Sequence, residues 1–258
     1  MASKRLPRAA RPDQIAVEYL RALNPQVREL LDVLQELTSD LAKAWPKPDP
    51  AREDNDQDVR RLVKRAADKL AKAIKAKSIL PIASKYGQAT SDFQRAQLAK
   101  QARAAVSIDL RKLSGIDRKI PQQVERFARE NAELITGIGT RLAEDIAKVV
   151  EQGVVAGSRW ETIAGRLAER GTVTESRAAL IARDQVGKFY GAVNQQRQEN
   201  LGVTRYVWRT ARDNRVREEH EALDGERFQW SEPPSEGHPG EPVNCRCYAD
   251  PDFSELLG

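Results

Sequence analysis

The chain has 258 residues, 40% of them hydrophobic, with 43 Lys plus Arg against 38 Asp plus Glu for a formal net charge of +5. That is too apolar for full disorder and long enough for one large domain or two modest ones, each with its own core. No run approaches the roughly 18 apolar residues of a membrane span, and MASKRLPRAARPDQ lacks a signal peptide's apolar stretch, so no membrane partner is expected.

Residues 1–23 open with Lys4, Arg5, Arg8 and Arg11 among prolines and read as a flexible basic arm. Asn24 as N-cap and Pro25 at the first helical position then introduce Val27, Leu30, Leu31, Leu34, Leu37 and Leu41 at helical spacing, ending near Trp45. PKPDPAREDNDQD, spanning about 46–57, predicts a solvated linker. A second helix carries Val59, Leu62, Val63, Ala66, Leu70 and Ile74 on one face and a basic face over residues 60–77, read either as a solvated surface or as a phosphate contact. A third, from near Ser91 through Ala99, Ala102, Val106 and Leu110, is closed by Gly115, so 24–115 forms a helical N-terminal region.

From 116 to 258 a second region begins with further helices to about residue 200. One passes through Val124, Phe127 and Leu134, one through Ile138, Leu142, Ile146 and Val150, and a short one through Trp160, Ile163 and Leu167. A longer helix starts at about Thr174, with Ala178, Ile181, Ala182, Val186 and Phe189 as its buried stripe. Past Gly202, VTRYVWRTA alternates and reads as a strand; turns follow at Asp224-Gly225, Pro233-Pro234 and Gly237 to Pro242, then a second strand around CRCYADP. The fold class is therefore α+β: a mostly α-helical N-terminal two-thirds and a small α+β C-terminal module. Gly137-Ile138-Gly139 lacks a preceding strand and a third glycine, so it is no dinucleotide loop.

The two cysteines and two histidines of the whole chain all lie between His220 and Cys247. His220, His238, Cys245 and Cys247 are the donors that tetrahedral zinc takes, and four protein ligands would make the ion structural, because a catalytic zinc keeps a position open. Residues 212–250 hold few apolar groups and many turn residues, a composition that a metal staple suits. The alternative is plain packing, with Cys245 and Cys247 as small buried hydrophobes and His220 in an ordinary hydrogen bond. A Cys245–Cys247 disulfide would close a strained, very small ring and is not expected. Asp213, Glu218, Glu219 and Asp224 beside His220 also admit a nuclease-like metal enzyme, but carboxylates near a histidine are common in so acidic a chain, and no catalytic residue is assigned.

YVWRTARDNRVREEHEALDG, over 206–225, and PVNCRCYADP, over 242–251, carry a resemblance to the phage Mu protein F-like family of minor head, or head-morphogenesis, proteins. Its most specific residues are Trp208, Arg209, Thr210, Asp213, Arg215, Val216, Arg217, His220, Leu223, Asp224 and Gly225, then Asn244, Cys245, Arg246 and Cys247. The likeness extends over about residues 115–253, through ENAELITGIGTRLAEDIAKVV and ESRAALIARDQVGKFYGAVNQQRQENLGV. The resemblance implies a structural, non-enzymatic component of a tailed-phage head, made in the host cytoplasm and built into the virion at the portal vertex or inner shell. Its implied partners are portal or capsid proteins and packaged DNA, with no small-molecule substrate. Relatives carry Cys-x-x-Cys where this chain has Arg217 and His220, which implies a metal role for His220. Arg215, Arg217 and Arg246 would either meet phosphate or an acidic portal surface, or brace the turns by pairing with Asp213, Asp224 or Glu218.

Overall fold

Amphipathic stripes set the architecture. In a computed structural model, which describes residues 6–45 and 54–256, they form five long helices: α1 (Asp13–Ala44), α2 (Asp54–Ala73), α3 (Ala76–Val106), α4 (Ile120–Val155) and α5 (Trp160–Asn200). The C-terminal module follows as β1 (Arg205–Thr210), the short α6 (Glu218–Ala222), β2 (Arg227–Gln229) and β3 (Cys247–Pro251). The strands make an antiparallel sheet of order β2-β1-β3, with Tyr206 opposite Phe228 on one side of β1 and Trp208 opposite Ala249 on the other. The chain is thus an α+β protein, and no described helix is long and apolar enough to cross a membrane.

Helices run through several positions where the sequence suggests breaks. α1 starts at Asp13 and contains Pro25, because Ala16, Tyr19 and Leu23 extend the buried stripe one register back from Val27. The carbonyl that Pro25 leaves without a donor belongs to exposed Arg21, where water can serve it. Pro81 likewise lies inside α3, opposite the carbonyl of exposed Lys77, so that helix begins at Ala76 and not near Ser91. Thr174 does not cap a helix: its Oγ1 donates to the Arg170 carbonyl at 2.8 Å from within α5, a bond that lets a hydroxyl sit mid-helix. The break before α5 is where expected, at Gly157 with φ 59°. The expected linker at 46–57 falls mostly outside the described residues, and its positions 54–57 already belong to α2. Lys4 and Arg5 also lie outside them, whereas Arg8 donates to the Ala211 carbonyl and Ala9 is buried beside Tyr190 and Tyr248.

Two compact units divide the chain. One comprises Leu20–Ile82 and Glu130–Ile181, and among the described residues its elements are all helices. Leu30, Leu37, Leu41, Leu70, Ile138, Leu142, Ile163 and Leu167 are buried in it. The basic face of α2 is partly spent within this unit, where Lys69 meets Glu36 at 2.7 Å and Arg65 meets Asp40 at 3.1 Å. Gly139 of α4 lies so close to α2 that a Cβ there would stand 2.4 Å from the Leu70 carbonyl oxygen, a backbone atom that cannot swing aside.

The other unit comprises Met1–Tyr19, Ala83–Arg129 and Ala182–Gly258 and contains the sheet. β3 is buried at every position although it is an edge strand. Its free edge is served by α5: Asn194 Nδ2 and Gln198 Nε2 donate to the Ala249 carbonyl at 2.8 and 3.1 Å. Gln94 of α3 donates to Asn194 Oδ1 at 2.8 Å. The buried Arg197 guanidinium meets the Asp117 carboxylate, the Ser91 carbonyl and Gln94 Oε1 at 2.9, 2.7 and 2.6 Å.

Overpacking the Gly139 contact should cost about 1–3 kcal/mol. Gly137, one residue pair away, has nothing within 4 Å of a built Cβ. Gly137→Ala should therefore be neutral or stabilising by up to about 1 kcal/mol through helix propensity, while Gly139→Ala lowers the midpoint of urea unfolding.

Candidate metal centre

The module collects its chemistry on the buried face of β1. Tyr206, Trp208 and Thr210 alternate inward along that strand, and Trp208, fully buried, packs with Tyr206, Trp230, Cys245, Cys247 and Ala249. After β1 the chain must turn back on itself, and arginine–aspartate clasps hold the turns. Asp224 Oδ1 accepts the Thr210 N–H at 3.0 Å and its Oδ2 accepts Arg212 Nη2 at 2.8 Å. Gly225, at φ 103°, lets its N–H reach the Trp208 carbonyl at 2.9 Å. Asp213 is gripped by both the Nε and Nη2 of Arg246, and Arg217 Nη2 donates to the Val243 carbonyl at 2.7 Å. Of the two interactions open to these arginines, bracing is the one seen for Arg246 and Arg217.

Those turns aim His220, the buried residue of α6, edge-on at Trp208 with ring centroids 5.4 Å apart. Cys245 sits in the turn before β3 and Cys247 is the first residue of that strand. Alternate residues of an extended segment share a face, which is why a Cys-x-Cys spacing can present both sulfurs to one point. His220 Nδ1 lies 3.6 Å from Cys245 Sγ and 3.4 Å from Cys247 Sγ, and the three donor atoms all fall within 4.8 Å of one another. A tetrahedral ion with Zn–S near 2.3 Å and Zn–N near 2.0 Å separates sulfur and nitrogen ligands by roughly 3.5 Å, so the donors stand at coordination spacing.

Two neighbouring groups suit the same reading. His220 Nε2 is buried without a hydrogen-bond partner among the described residues, and Glu236 Oε2 lies 3.8 Å from it, the side from which a carboxylate commonly orients a metal-bound imidazole. The thiols are free and share their protons unequally. Hydrogen bonding from Cys247, against the penalty of burial, draws the Cys245 thiol down, and the Cys247 thiol is held up by its bond to Cys245 and by burial. A lowered thiol at Cys245 suits the binding of a cation, which takes the thiolate.

His238 stands apart from this cluster. Its Nδ1 is engaged with the Tyr206 hydroxyl at 2.9 Å, its ring packs on Trp230 at 5.0 Å, and its backbone N–H donates to Glu241 at 2.6 Å. Three of the four expected donors are thus brought together. Glu236 was not singled out from the sequence; its signal was a lone carboxylate in the turn-rich PSEGH, indistinguishable from a solvated one.

The carboxylates offered for catalysis are committed elsewhere. Asp213 is held below the ordinary carboxylate range first by its bond from Arg246. Asp224, despite partial burial, is lowered by the Thr210 N–H and Arg212. Glu218 and Glu219 are exposed. Holding Asp213 and Asp224 as anions by arginine weakens them as general bases.

These features define a helical α+β protein with a thiol–imidazole module at its C-terminal end. Residues 144–249 match the family described as Phage Mu protein F like protein. A protein of Haemophilus influenzae, described as an uncharacterized protein, is 33% identical over 196 residues, covering 69% of this chain and 44% of that protein. The chain therefore spans less than half the length of the curated relative it matches. No solved structure matches the chain.

The Asp213–Arg246 clasp has a pH signature. A carboxylate whose folded pKa is depressed contributes stability that is complete above its unfolded value of about 3.9 and is lost as the pH falls through the lowered folded value. Asp213→Asn should be less stable by about 1 kcal/mol at pH 7, as expected for one charge-assisted pair with partial exposure. Its thermal midpoint should fall less steeply than the parent's between pH 5 and pH 3; equal acid slopes would show that the pair contributes nothing.

Proposed function

We propose that the chain is a structural minor head protein of a tailed bacteriophage, acting in head morphogenesis and resident in the virion at the portal vertex or inner shell. The match of residues 144–249 to the phage Mu protein F-like family carries this reading. Portal or capsid subunits are its protein partners, and its excess of basic residues suits non-specific contact with packaged DNA. No membrane and no small-molecule substrate enter the role. Purified virions should contain the chain, and particles assembled without it should be defective in packaging or infection. Normal titre and normal DNA content in such particles would overturn the proposal.

Within that role His220, Cys245 and Cys247 hold a structural zinc, His220 through Nδ1. His238, expected as a fourth ligand, supports the site from behind Tyr206. Bound there, the ion would cross-link α6 to β3 in a segment that has little apolar surface of its own, so its binding energy adds to folding. Elemental mass spectrometry should find one zinc per chain, lost in Cys245→Ser, Cys247→Ser and His220→Ala with a lower melting temperature, and kept in His238→Ala. No metal in the parent protein, with unaltered melting in the variants, would return these residues to packing and hydrogen bonding.

One observation favours a second reading, a metal-dependent enzyme of the nuclease kind. Three protein donors leave one position of a tetrahedral ion open, the arrangement of catalytic zinc. Zinc-loaded protein that cleaves single- or double-stranded DNA, with activity lost in Cys247→Ser, would replace the structural role with this one.

A further inference from the structure

A cleft of about 250 Å³ lies beside the thiol–imidazole cluster, lined by Arg11, Arg183, Lys188, Arg215 and Arg246 together with Gly187, Gly240 and Asp184. Five cations thus converge on a space about the size of one nucleotide. Three carboxylates, Asp184, Asp213 and Asp13, offset part of the charge: Asp184 pairs with Lys188 at 2.9 Å, and Asp213 holds Arg246 and, at 3.7 Å, Arg215. Arg11 donates to the Cys245 carbonyl at 3.3 Å and pairs with the half-exposed Asp13 at 3.2 Å. Arg183 forms no ion pair among the described residues; its Nε donates to the neutral Oδ1 of Asn244 at 3.1 Å.

The arrangement is built, not incidental to a lysine-rich surface. Asn244 adopts φ 55°, a conformation that a short amide side chain tolerates better than most. In it the Asn244 N–H donates to Asp184 at 2.7 Å while the side chain accepts from Arg183, so one residue ties its turn to two adjacent residues of α5. The opposite wall comes close because Gly191 leaves room for the Pro239 carbonyl: a Cβ at Gly191 would stand 2.7 Å from that oxygen. Arg11, Arg183, Arg215 and Arg246 border one opening, and planar guanidinium forks match the tetrahedral oxygens of a phosphate better than a single ammonium does.

We propose that this cleft is a binding site for a phosphate group, presented by the backbone of a nucleic-acid strand. The choice of nucleic acid as carrier rests on the reading above that the protein meets packaged DNA; the anion chemistry rests on the cleft alone. The site differs from the basic face of α2 over residues 60–73 in that its cations converge. On α2, by contrast, Arg65 and Lys69 are turned onto α1 carboxylates.

The test uses the full chain with two probes, pyrophosphate followed by titration calorimetry and a fluorescent oligonucleotide followed by anisotropy over a salt series. Arg183→Gln and Arg215→Gln should each weaken both probes about tenfold and lower the salt slope of oligonucleotide binding by about one. The double variant Lys64→Gln/Lys72→Gln, on exposed positions of α2, should leave pyrophosphate binding unchanged, and melting curves should show all variants folded. Oligonucleotide binding that ignores Arg183→Gln and Arg215→Gln, or no binding of either probe, would overturn the proposal. Pyrophosphate binding that responds to both variants, with no extra affinity for the oligonucleotide, would uphold the phosphate site and give it to a free anion. Because particle assembly is scored separately, loss of this site and loss of the head-protein role read out in different experiments.

Discussion

The C-terminal module depends on how the free edge of β3 is covered. An edge strand buried at every position carries backbone groups that no neighbouring strand serves, and each one left unpaired costs about 1–3 kcal/mol. Here α5 substitutes for the missing strand: Asn194 and Gln198, one turn apart, both donate to the Ala249 carbonyl. Gln198 also accepts the Trp230 indole N–H at 3.3 Å, so the same amide that covers the strand edge positions an aromatic of the module's core. A helix that supplied only leucines to this surface would bury more apolar area and strand the carbonyl.

Such a network holds only if its own members are satisfied, since a half-satisfied buried network is worse than an apolar one. Arg197 closes it. Buried itself, it spreads its donors over Asp117, Ser91 and Gln94, and burial lowers its pKa while the Asp117 carboxylate opposes that shift. Gln101 extends the set to Asp250, whose burial raises its pKa against the pull of Gln101 and Arg209. β3 is thereby fixed along its length, and with it the position of Cys247 at its start and of Cys245 two residues before.

Much of this was legible in the sequence, and the parts that were not share a cause. The stripes through Leu30 to Leu41, Val59 to Ile74 and Ala178 to Phe189 mark helices correctly because burial has the helical period. The alternation in RYVWRT marks β1 for the same reason with a period of two. Boundaries were misplaced where a local rule lost to packing: Asn24-Pro25 has the chemistry of a helix start, yet Tyr19 and Leu23 bury fully on the same stripe and carry the helix past it. Thr174 has the chemistry of a cap, yet its hydroxyl is satisfied by the preceding turn. β2 is three residues long and exposed at both ends, too short for periodicity to register.

The candidate site divides in the same way. Clustering of the rare residues points to the segment in which His220, Cys245 and Cys247 come together, because cysteine and histidine are scarce enough for their concentration to stand out. It could not separate His220 from His238, since both are buried and both lie on the aromatic platform of β1. What separates them is partner chemistry: the Tyr206 hydroxyl offers His238 a neutral hydrogen bond, whereas His220 faces two sulfurs with one nitrogen and a carboxylate with the other. The arginine cleft was legible only in part: Arg215 and Arg246 stand out as candidate phosphate contacts, whereas Arg183 and Lys188 carry no such signal. Arg11, Arg183 and Arg215 come from segments far apart in the chain, and only the turn at Asn244 and the close approach at Gly191 make neighbours of them. Charge that looks dispersed along a sequence can thus be concentrated by two backbone positions whose side chains, an amide and a hydrogen, carry no charge at all.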